Sequence, residues 1–303
     1  LLLPVMNGPK PFYPLSFNIL SMFEEDLEEE KDSDRDEIKS EAIAIAKTGD
    51  PIKFLLQLAQ MNHIGDLNCQ KILLLSIASA ASETSNGIHP VIIGEAIGKS
   101  HVCKSVLHLV PNDQKIDGSF SQMALFYLNK EGKLKPGTIV FLDDVGHKSI
   151  DMIYRHYIKN FQKPMDGYSM EKGKEPKVTR LFIPPRIIWW ETCPNEVFFH
   201  KRYLMRVDAG PAHQKMVSRE IARGRGEKRI PFQVDTGVLI ARSIIKDIFD
   251  NGTFKVVVPQ ARRAEWMDDF SSIELEKYWD MVDALAILRW RQHQMDSEGW
   301  LTA

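Results

Sequence analysis

The sequence predicts an α/β fold in which helices cover a central parallel sheet on both faces. Short, continuously apolar strands recur through the middle of the chain, at residues 90–93, 137–144, 185–190 and 203–208, with helical stretches between them. Strands that are apolar along their whole length are typical of parallel sheets buried on both sides. Apolar residues at helical spacing precede the first strand, and others close the chain over 271–294.

Changes in composition along the chain indicate where its parts begin and end. Residues 1–37 combine scattered prolines with an acidic run from Glu24 to Asp36, which predicts a solvated arm or linker. The alternative is an acidic arm that docks on a neighbouring subunit through four aromatic residues, Phe12, Tyr13, Phe17 and Phe23. We expect residues 38–240 to form the core and residues 241–303 a C-terminal helical part.

Charge and cysteine content narrow the class of protein. The formal net charge of −2 gives no overall basic signature, although a local basic loop can still bind nucleic acid. The three cysteines Cys69, Cys103 and Cys193 are far apart and odd in number, which favours a reducing compartment. No apolar run reaches the roughly 18 residues of a membrane span, so we expect a soluble cytoplasmic protein.

A phosphate-binding turn is predicted between the first strand and the helix that follows it. Glycines let backbone N–H groups surround phosphate oxygens, a lysine supplies charge, and a serine hydroxyl reaches Mg²⁺. Three residues separate the glycines where the usual pattern has four, so the alternative is a chance Gly-Lys-Ser. The predicted nucleotide-binding residues are Gly94, Glu95, Ala96, Ile97, Gly98, Lys99, Ser100 and His101.

An apolar strand that ends in two acids supplies the second half of a hydrolase. Asp143 and Asp144 follow Ile139–Leu142 directly. In such sites the first acid, with Ser100, holds the magnesium shell, and the second polarises the water that attacks the γ-phosphate. Capping of a strand end is the alternative role for this pair.

The next two strands carry candidate residues for completing the reaction. The strand at 187–190 is followed by Thr192 and Asn195, either of which can orient the attacking water. Arg202 precedes the last strand, and its permanently charged fork suits the γ-phosphate of a neighbouring subunit. Arg206 is the second choice for that role, and an ordinary surface arginine is the alternative.

Taken in order, these motifs resemble the AAA+ superfamily and, within it, the minichromosome-maintenance-like replicative helicases of archaea and their mobile elements. The resemblance covers about residues 50–303, through GEAIGKSH, GSFSQMALFYLN, GTIVFLDDV, PPRIIWWETCPN, KRYLMRVD and PQARRAEWMDDF. It implies a C-terminal helical lid over residues 241–303 and an arginine-finger role for Arg202. The short turn and Asp144, where many such motors have Glu, depart from the pattern.

The resemblance also implies a basic hairpin that points into the central channel of a ring. Residues 163–180 fit this description, with Gly167 and Gly173 as turns. Lysines at such a tip can follow phosphates without reading base sequence. The implied DNA-binding residues are Lys172, Lys174 and Lys177.

The expected function is that of an ATP- and Mg²⁺-dependent homohexameric motor with single-stranded or forked DNA in its channel. Two alternatives remain at this point. One is an ATP-binding switch that loads or positions a partner without processive unwinding. The other is a scaffold whose altered turn no longer holds nucleotide.

Overall fold

A computed structural model describes most of the chain after its first 31 residues. The described residues are 32–94, 98–118, 122–144, 158–171, 177–194, 202–208, 210–226, 232–263, 267 and 269–303. The chain divides into two compact units, residues 1–37 and residues 38–303. Only residues 32–37, at the start of the first helix, are described in the first unit.

Five parallel strands form the central sheet of the second unit. Their spatial order is β2–β3–β6–β1–β7, so β6 lies between β1 and β3 although it follows both in sequence. All four neighbouring pairs run parallel. The strands are β1 (Pro90–Ile93), β2 (Lys115–Asp117), β3 (Ile139–Leu142), β6 (Ile188–Cys193) and β7 (Tyr203–Arg206). The predicted parallel sheet is confirmed, and β2 is a strand that the sequence did not predict.

Alternation of side chains along the buried strands divides the core between the two faces of the sheet. Phe141 and Trp190 pack into one hydrophobic cluster, whereas Val140 and Trp189 pack into another. Each of these four side chains is at most 1% exposed. Because consecutive side chains of a strand point to opposite faces, the sheet is covered on both sides, as its apolar strands predict.

Eight α-helices surround the sheet in the described ranges. They are α1 (Asp32–Thr48), α2 (Pro51–Asn62), α3 (Leu67–Ser79), α4 (Lys99–Leu107), α5 (Gln122–Lys130), α6 (Pro211–Gly226), α7 (Thr236–Asp250) and α8 (Ser272–Leu288). The side chain of Asp50 caps α2 by accepting from the N–H of Lys53, and Pro51 is the first helical residue. The predicted boundary between residues 240 and 241 falls inside α7, so one continuous helix joins the two predicted parts.

Two small sheets complete the described architecture. Strands β4 (Met165–Glu171) and β5 (Lys177–Ile183) form an antiparallel hairpin. Gly167, predicted to be a turn, instead lies within β4 and pairs with Leu181. A Cβ atom on Gly167 would come within 2.7 Å of the Phe126 ring, so close packing explains the glycine. The other sheet pairs β8 (Lys255–Val257) with β9 (Trp300–Thr302).

The last helix, α8, holds the loop between α3 and β1 through two buried aspartates. Asp280 accepts hydrogen bonds from the Ser85 hydroxyl at 2.8 Å and from the Asn86 N–H at 2.9 Å. Asp283 accepts from the Thr84 hydroxyl at 2.5 Å. Burial raises the pKa of Asp280 to about 6, and the charge of Asp283 adds to the rise. The loop is therefore fixed by contacts that use up its polar groups.

The helix α8 lies at the edge of the sheet opposite the phosphate-binding turn. The hydroxyl of Tyr203 donates to the carbonyl of Lys277 at 2.9 Å, and Tyr203 is the first residue of β7. Tyr203 pairs with Pro90, the first residue of β1. These contacts place α8 at the amino edge of the sheet, whereas the phosphate-binding turn follows the carboxyl end of β1. The helix α8 packs against α3. It is therefore engaged at the edge opposite to the one that holds the phosphate-binding turn.

None of the helices in the described ranges combines the length and the apolar composition that crossing a bilayer requires.

Candidate functional site

The turn between β1 and α4 begins and ends with glycines in conformations that side chains disfavour. Gly94 has φ +146° and Gly98 has φ +136°, a range in which a Cβ atom clashes with the backbone. The N–H of Gly94 donates to the carbonyl of Cys193 in β6 at 3.3 Å, which ties the turn to the neighbouring strand. The predicted residues Glu95, Ala96 and Ile97 lie outside the described residues.

Lys99 is the first residue of α4, and its side chain reaches back over the turn. Its ammonium group donates a hydrogen bond to the carbonyl oxygen of Gly94 at 2.6 Å. This hydrogen bond joins the two ends of the turn and places the ammonium beside the positive end of a new helix. An anion that enters the turn can take over this hydrogen bond from the carbonyl oxygen.

Ser100 and the two acids of the next strand meet at the carboxyl edge of the sheet. The Ser100 hydroxyl donates to Oδ1 of Asp143 at 2.5 Å. The Thr192 hydroxyl donates to the same oxygen at 2.7 Å. It also accepts from the backbone N–H of Asp144 at 2.8 Å. Thr192 thus joins the ends of β3 and β6 and fixes both acids relative to the turn.

Strained backbone accompanies this arrangement. Asp144 has φ +50°, a left-handed conformation that costs non-glycine residues roughly 1–3 kcal/mol and concentrates at functional sites. The hydrogen bond from its N–H to Thr192, whose side chain is fully buried, holds the strained residue in place. The Asp144 side chain is exposed.

The oxygen ligands at this edge suit Mg²⁺. The Ser100 hydroxyl and the Asp143 carboxylate meet at hydrogen-bonding distance, and hydroxyl and carboxylate oxygens are ligands that Mg²⁺ prefers. A third acid, Asp117, ends β2, beside β3. Burial raises the pKa of Asp117, the charge of Lys104 opposes the rise, and that of Asp143 adds to it. Asp117 was not among the predicted site residues, because its strand has a single apolar residue.

The side chain of His101 has partners within the chain. Its Nδ1 lies 3.0 Å from Nδ1 of His63, and its ring centroid is 5.3 Å from that of Phe232. Burial lowers the pKa of His101, and the charge of His63 adds to this effect. His63 in turn hydrogen-bonds Asp66 at 2.8 Å. His101 was predicted to bind nucleotide. In the structure its ring contacts those of His63 and Phe232.

Arg202 is paired within its own chain. Its side chain is 2% exposed, and its guanidinium contacts the carboxylate of Glu191. Glu191 lies on β6, next to β1, and a buried carboxylate needs a cation as its partner. The arginine-finger role of Arg202 stays a prediction. Arg206, at the carboxyl end of β7, is exposed.

The structure describes the other predicted site residues only in part or not at all. Asn195, Lys172 and Lys174 lie outside the described residues, and Lys177 is described only as the first residue of β5.

The buried thiol of Cys193, beside the turn, has a pKa raised to about 11 by burial, which keeps it protonated and unreactive. Cys193, Cys69 and Cys103 are all free thiols. Among the described residues no group of histidine, cysteine and acidic side chains forms a separate metal site.

Comparison with known proteins adds one match to this geometry. A family model described as the MTBMA_p00010 P-loop domain matches residues 36–250, which include the turn, both acids and the five strands of the central sheet. No curated protein matches the chain.

Proposed function

Since the chain belongs to the MTBMA_p00010 P-loop domain family, we propose that it is an ATP-hydrolysing motor that acts on DNA. A P-loop domain with an α/β fold accounts for nucleotide binding. The proposal goes further, to hydrolysis coupled to movement along a nucleic-acid strand.

One observation carries the proposal of hydrolysis, namely the position of Thr192 between the two acids. The strand β6 lies between the strand of the turn and the strand of the acids, and its Thr192 hydroxyl contacts both acidic residues. A P-loop that only binds nucleotide does not require a polar side chain at this point. A hydrolase uses it to hold the second acid and the attacking water relative to the γ-phosphate.

Each residue of the site has a distinct part in the proposed reaction. Lys99 neutralises the β- and γ-phosphates in place of its contact with Gly94. Ser100 and Asp143 would hold Mg²⁺, which as a bound ion neutralises charge on the phosphate oxygens. Asp144 accepts a proton from the attacking water or orients it, and Thr192 keeps Asp144 in position.

The AAA+ and helicase assignment is the finer part of the proposal. The strand order, with one strand inserted between the turn and the acids, supports an AAA+-type core. We propose a homohexamer in which Arg206, rather than Arg202, reaches the nucleotide of the next subunit. The β4–β5 hairpin is the proposed contact with single-stranded or forked DNA through Lys172, Lys174 and Lys177.

The test is the rate of ATP hydrolysis with Mg²⁺, measured with and without single-stranded DNA. We expect hydrolysis by the wild-type protein and a several-fold increase when the strand is added. Unwinding of a forked duplex is measured in parallel. Hydrolysis that no DNA alters would refute the motor and leave a simple ATPase.

The alternative is an ATP-binding switch that positions a partner without processive unwinding. The spacing of the turn favours it, because three rather than four residues separate Gly94 from Gly98. A tighter turn leaves less room for the β-phosphate and predicts slow turnover. DNA-stimulated hydrolysis without strand separation would identify the switch.

A further inference from the structure

The helix α6, Pro211–Gly226, stands apart from the other helices in having no buried residue. It follows β7, whose last residue Arg206 pairs with Ile93 at the carboxyl end of β1. The helix therefore begins at the same edge of the sheet as the phosphate-binding turn. Neither the proposed chemistry nor the proposed hairpin contact uses it.

Partial burial identifies the side of α6 that faces the protein. His213, Val217, Glu220 and Gly224 are partly buried, whereas their neighbours are exposed. Their spacing of three and four residues places them on one side of a helix with 3.6 residues per turn. The opposite side is consequently the one turned to solvent.

The solvent side of α6 is cationic. At about 100° per residue it carries Lys215, Ser218, Arg219 and Ala222, all of which are exposed. The helix contains four lysines and arginines but one acid, Glu220, which lies on the protein side. Lys215 and Arg219 are one turn apart, about 6 Å along the axis. We define Lys215, Ser218, Arg219 and Ala222 as the outer face of α6.

Hydrogen bonds connect the start of α6 to the nucleotide site. The N–H of Gly210 donates to the Asp208 carboxylate at 2.8 Å, and the N–H of Asp208 donates to Asp66 at 2.7 Å. Asp66 holds His63, which contacts His101 at 3.0 Å. His101 follows Ser100 in α4. These contacts connect the start of α6 to α4, the helix that carries Lys99.

We propose that the outer face of α6 binds the phosphate backbone of a nucleic-acid strand. Two cations one turn apart, with the small side chains of Ser218 and Ala222 beside them, let a polyphosphate chain approach the helix closely. The outer face has no aromatic residue on which a base can stack, so the contact follows the backbone and is independent of base sequence. This inference rests on the proposed function, since both require nucleic acid as the partner.

The experiment measures binding of a fluorescein-labelled oligodeoxythymidine by anisotropy across a series of salt concentrations. The variant is Lys215→Ala/Arg219→Ala. The control is Lys53→Ala/Lys71→Ala, which removes two exposed lysines from helices α2 and α3. The melting temperature of each variant shows that it is folded, and ATP hydrolysis by the wild type is measured separately.

We expect the α6 variant to bind about tenfold or more weakly at low salt and its salt dependence to fall by about 1.4 logarithmic units per decade. The control should bind like the wild type. Equal binding by the α6 variant and the wild type would overturn the inference but leave the proposed function intact. If the wild type hydrolyses ATP but binds no strand, both the DNA motor and the binding role of the outer face are refuted. If the wild type does not hydrolyse ATP, only the motor is refuted. A competition measurement compares poly-glutamate with unlabelled DNA at equal concentrations of negative charge. If poly-glutamate displaces the labelled strand at a lower charge concentration than DNA does, the outer face binds an acidic polypeptide and the inference is wrong.

Discussion

Both edges of the central sheet join hydroxyl side chains to aspartates, but they differ in how completely protein partners surround the carboxylates. At the carboxyl edge, Ser100 and Thr192 share one oxygen of Asp143, which is partly exposed. At the amino edge, Asp280 is 5% exposed and accepts from the hydroxyl of Ser85 and the N–H of Asn86. The carboxylate at the first edge is open to a ligand, whereas the one at the second edge is enclosed by the protein.

The difference shows that the same chemical groups serve binding or stability according to their burial. Hydroxyl–carboxylate pairs at the surface can exchange partners at little cost, because water and ligand oxygens replace them. Buried pairs cannot be opened without leaving a polar group unsatisfied. Substitutions of exposed groups at the carboxyl edge should therefore alter nucleotide turnover, and those of buried groups at either edge should alter folding.

The largest expected effect is that of Asp144→Asn. Loss of the carboxylate removes the group that activates water, so we expect turnover to fall by about 10²- to 10⁴-fold with nucleotide affinity retained. Steady-state hydrolysis and the increase in melting temperature with ATP and Mg²⁺ measure the two quantities. Asp283→Asn, the same change at the amino edge, should leave turnover unaltered. Normal hydrolysis by the Asp144 variant would mean that this acid is not the base.

Lys99→Ala comes next. Without the ammonium group that spans the turn, nucleotide affinity should fall about a hundredfold, since hydrogen bonds to charged groups contribute about 1.5–3 kcal/mol. The melting temperature without nucleotide should be unchanged, while its increase with ATP and Mg²⁺ disappears. Lys104→Ala, five residues further along α4, is the control. An undiminished shift in the Lys99 variant would remove the turn from the nucleotide site.

Thr192→Val tests the link between the two acids. It deprives Asp143 of a donor and the Asp144 N–H of its acceptor, so we expect about tenfold slower turnover. The free energy of unfolding should fall by about 1–3 kcal/mol, the cost of an unsatisfied buried group. Thr192→Ser retains the hydroxyl and should restore turnover. If valine and serine behave alike, the hydroxyl does not position the acids.

Asp280→Asn should have no effect on turnover and a pH-dependent effect on stability. Burial raises the pKa of Asp280 from 3.8 to about 6, so the folded protein holds this proton more tightly than the unfolded chain. Its contribution to stability is full below about pH 4 and is lost as the pH rises through about 6. The loss amounts to up to about 3 kcal/mol at about 1.4 kcal/mol per pKa unit.

Urea unfolding of wild type and Asp280→Asn between these pH values measures that contribution. The variant should show a flatter pH dependence, because asparagine does not titrate. Glu276→Gln, an exposed change on the same helix, should reproduce the wild-type profile. Identical slopes in wild type and Asp280→Asn would show that Asp280 keeps an ordinary pKa in the folded protein.

Sequence patterns predicted the elements whose burial is continuous. The strands β1, β3, β6 and β7 were identifiable from their apolar residues. The meeting of Ser100 with Asp143 follows because the turn after β1 and the acid after β3 lie at the same edge of a parallel sheet. The strand β2 was missed, because Lys115 and Asp117 flank its one apolar residue. Short strands of this kind are stabilised by the neighbouring strand rather than by their own composition.

Contacts between distant segments account for what the sequence did not predict. The burial of Arg202 depends on Glu191, a residue on another strand whose neighbourhood appears only when the sheet is assembled. The placement of α8 depends on the bonds of Asp280 and Asp283 to a loop nearly two hundred residues earlier. No local sequence pattern marks either set of partners.

The insertion of β6 between β1 and β3 has a consequence for protein synthesis. As the polypeptide leaves the ribosome, Gly94 and Asp143 emerge on strands that are not hydrogen-bonded to each other. The gap between them is closed when residues 188–193 emerge and supply Thr192 to Asp143 and the Cys193 carbonyl to Gly94. A nascent chain that stops before β6 has both halves of the site but no strand to join them. Assembly of the site therefore waits until β6 has been translated.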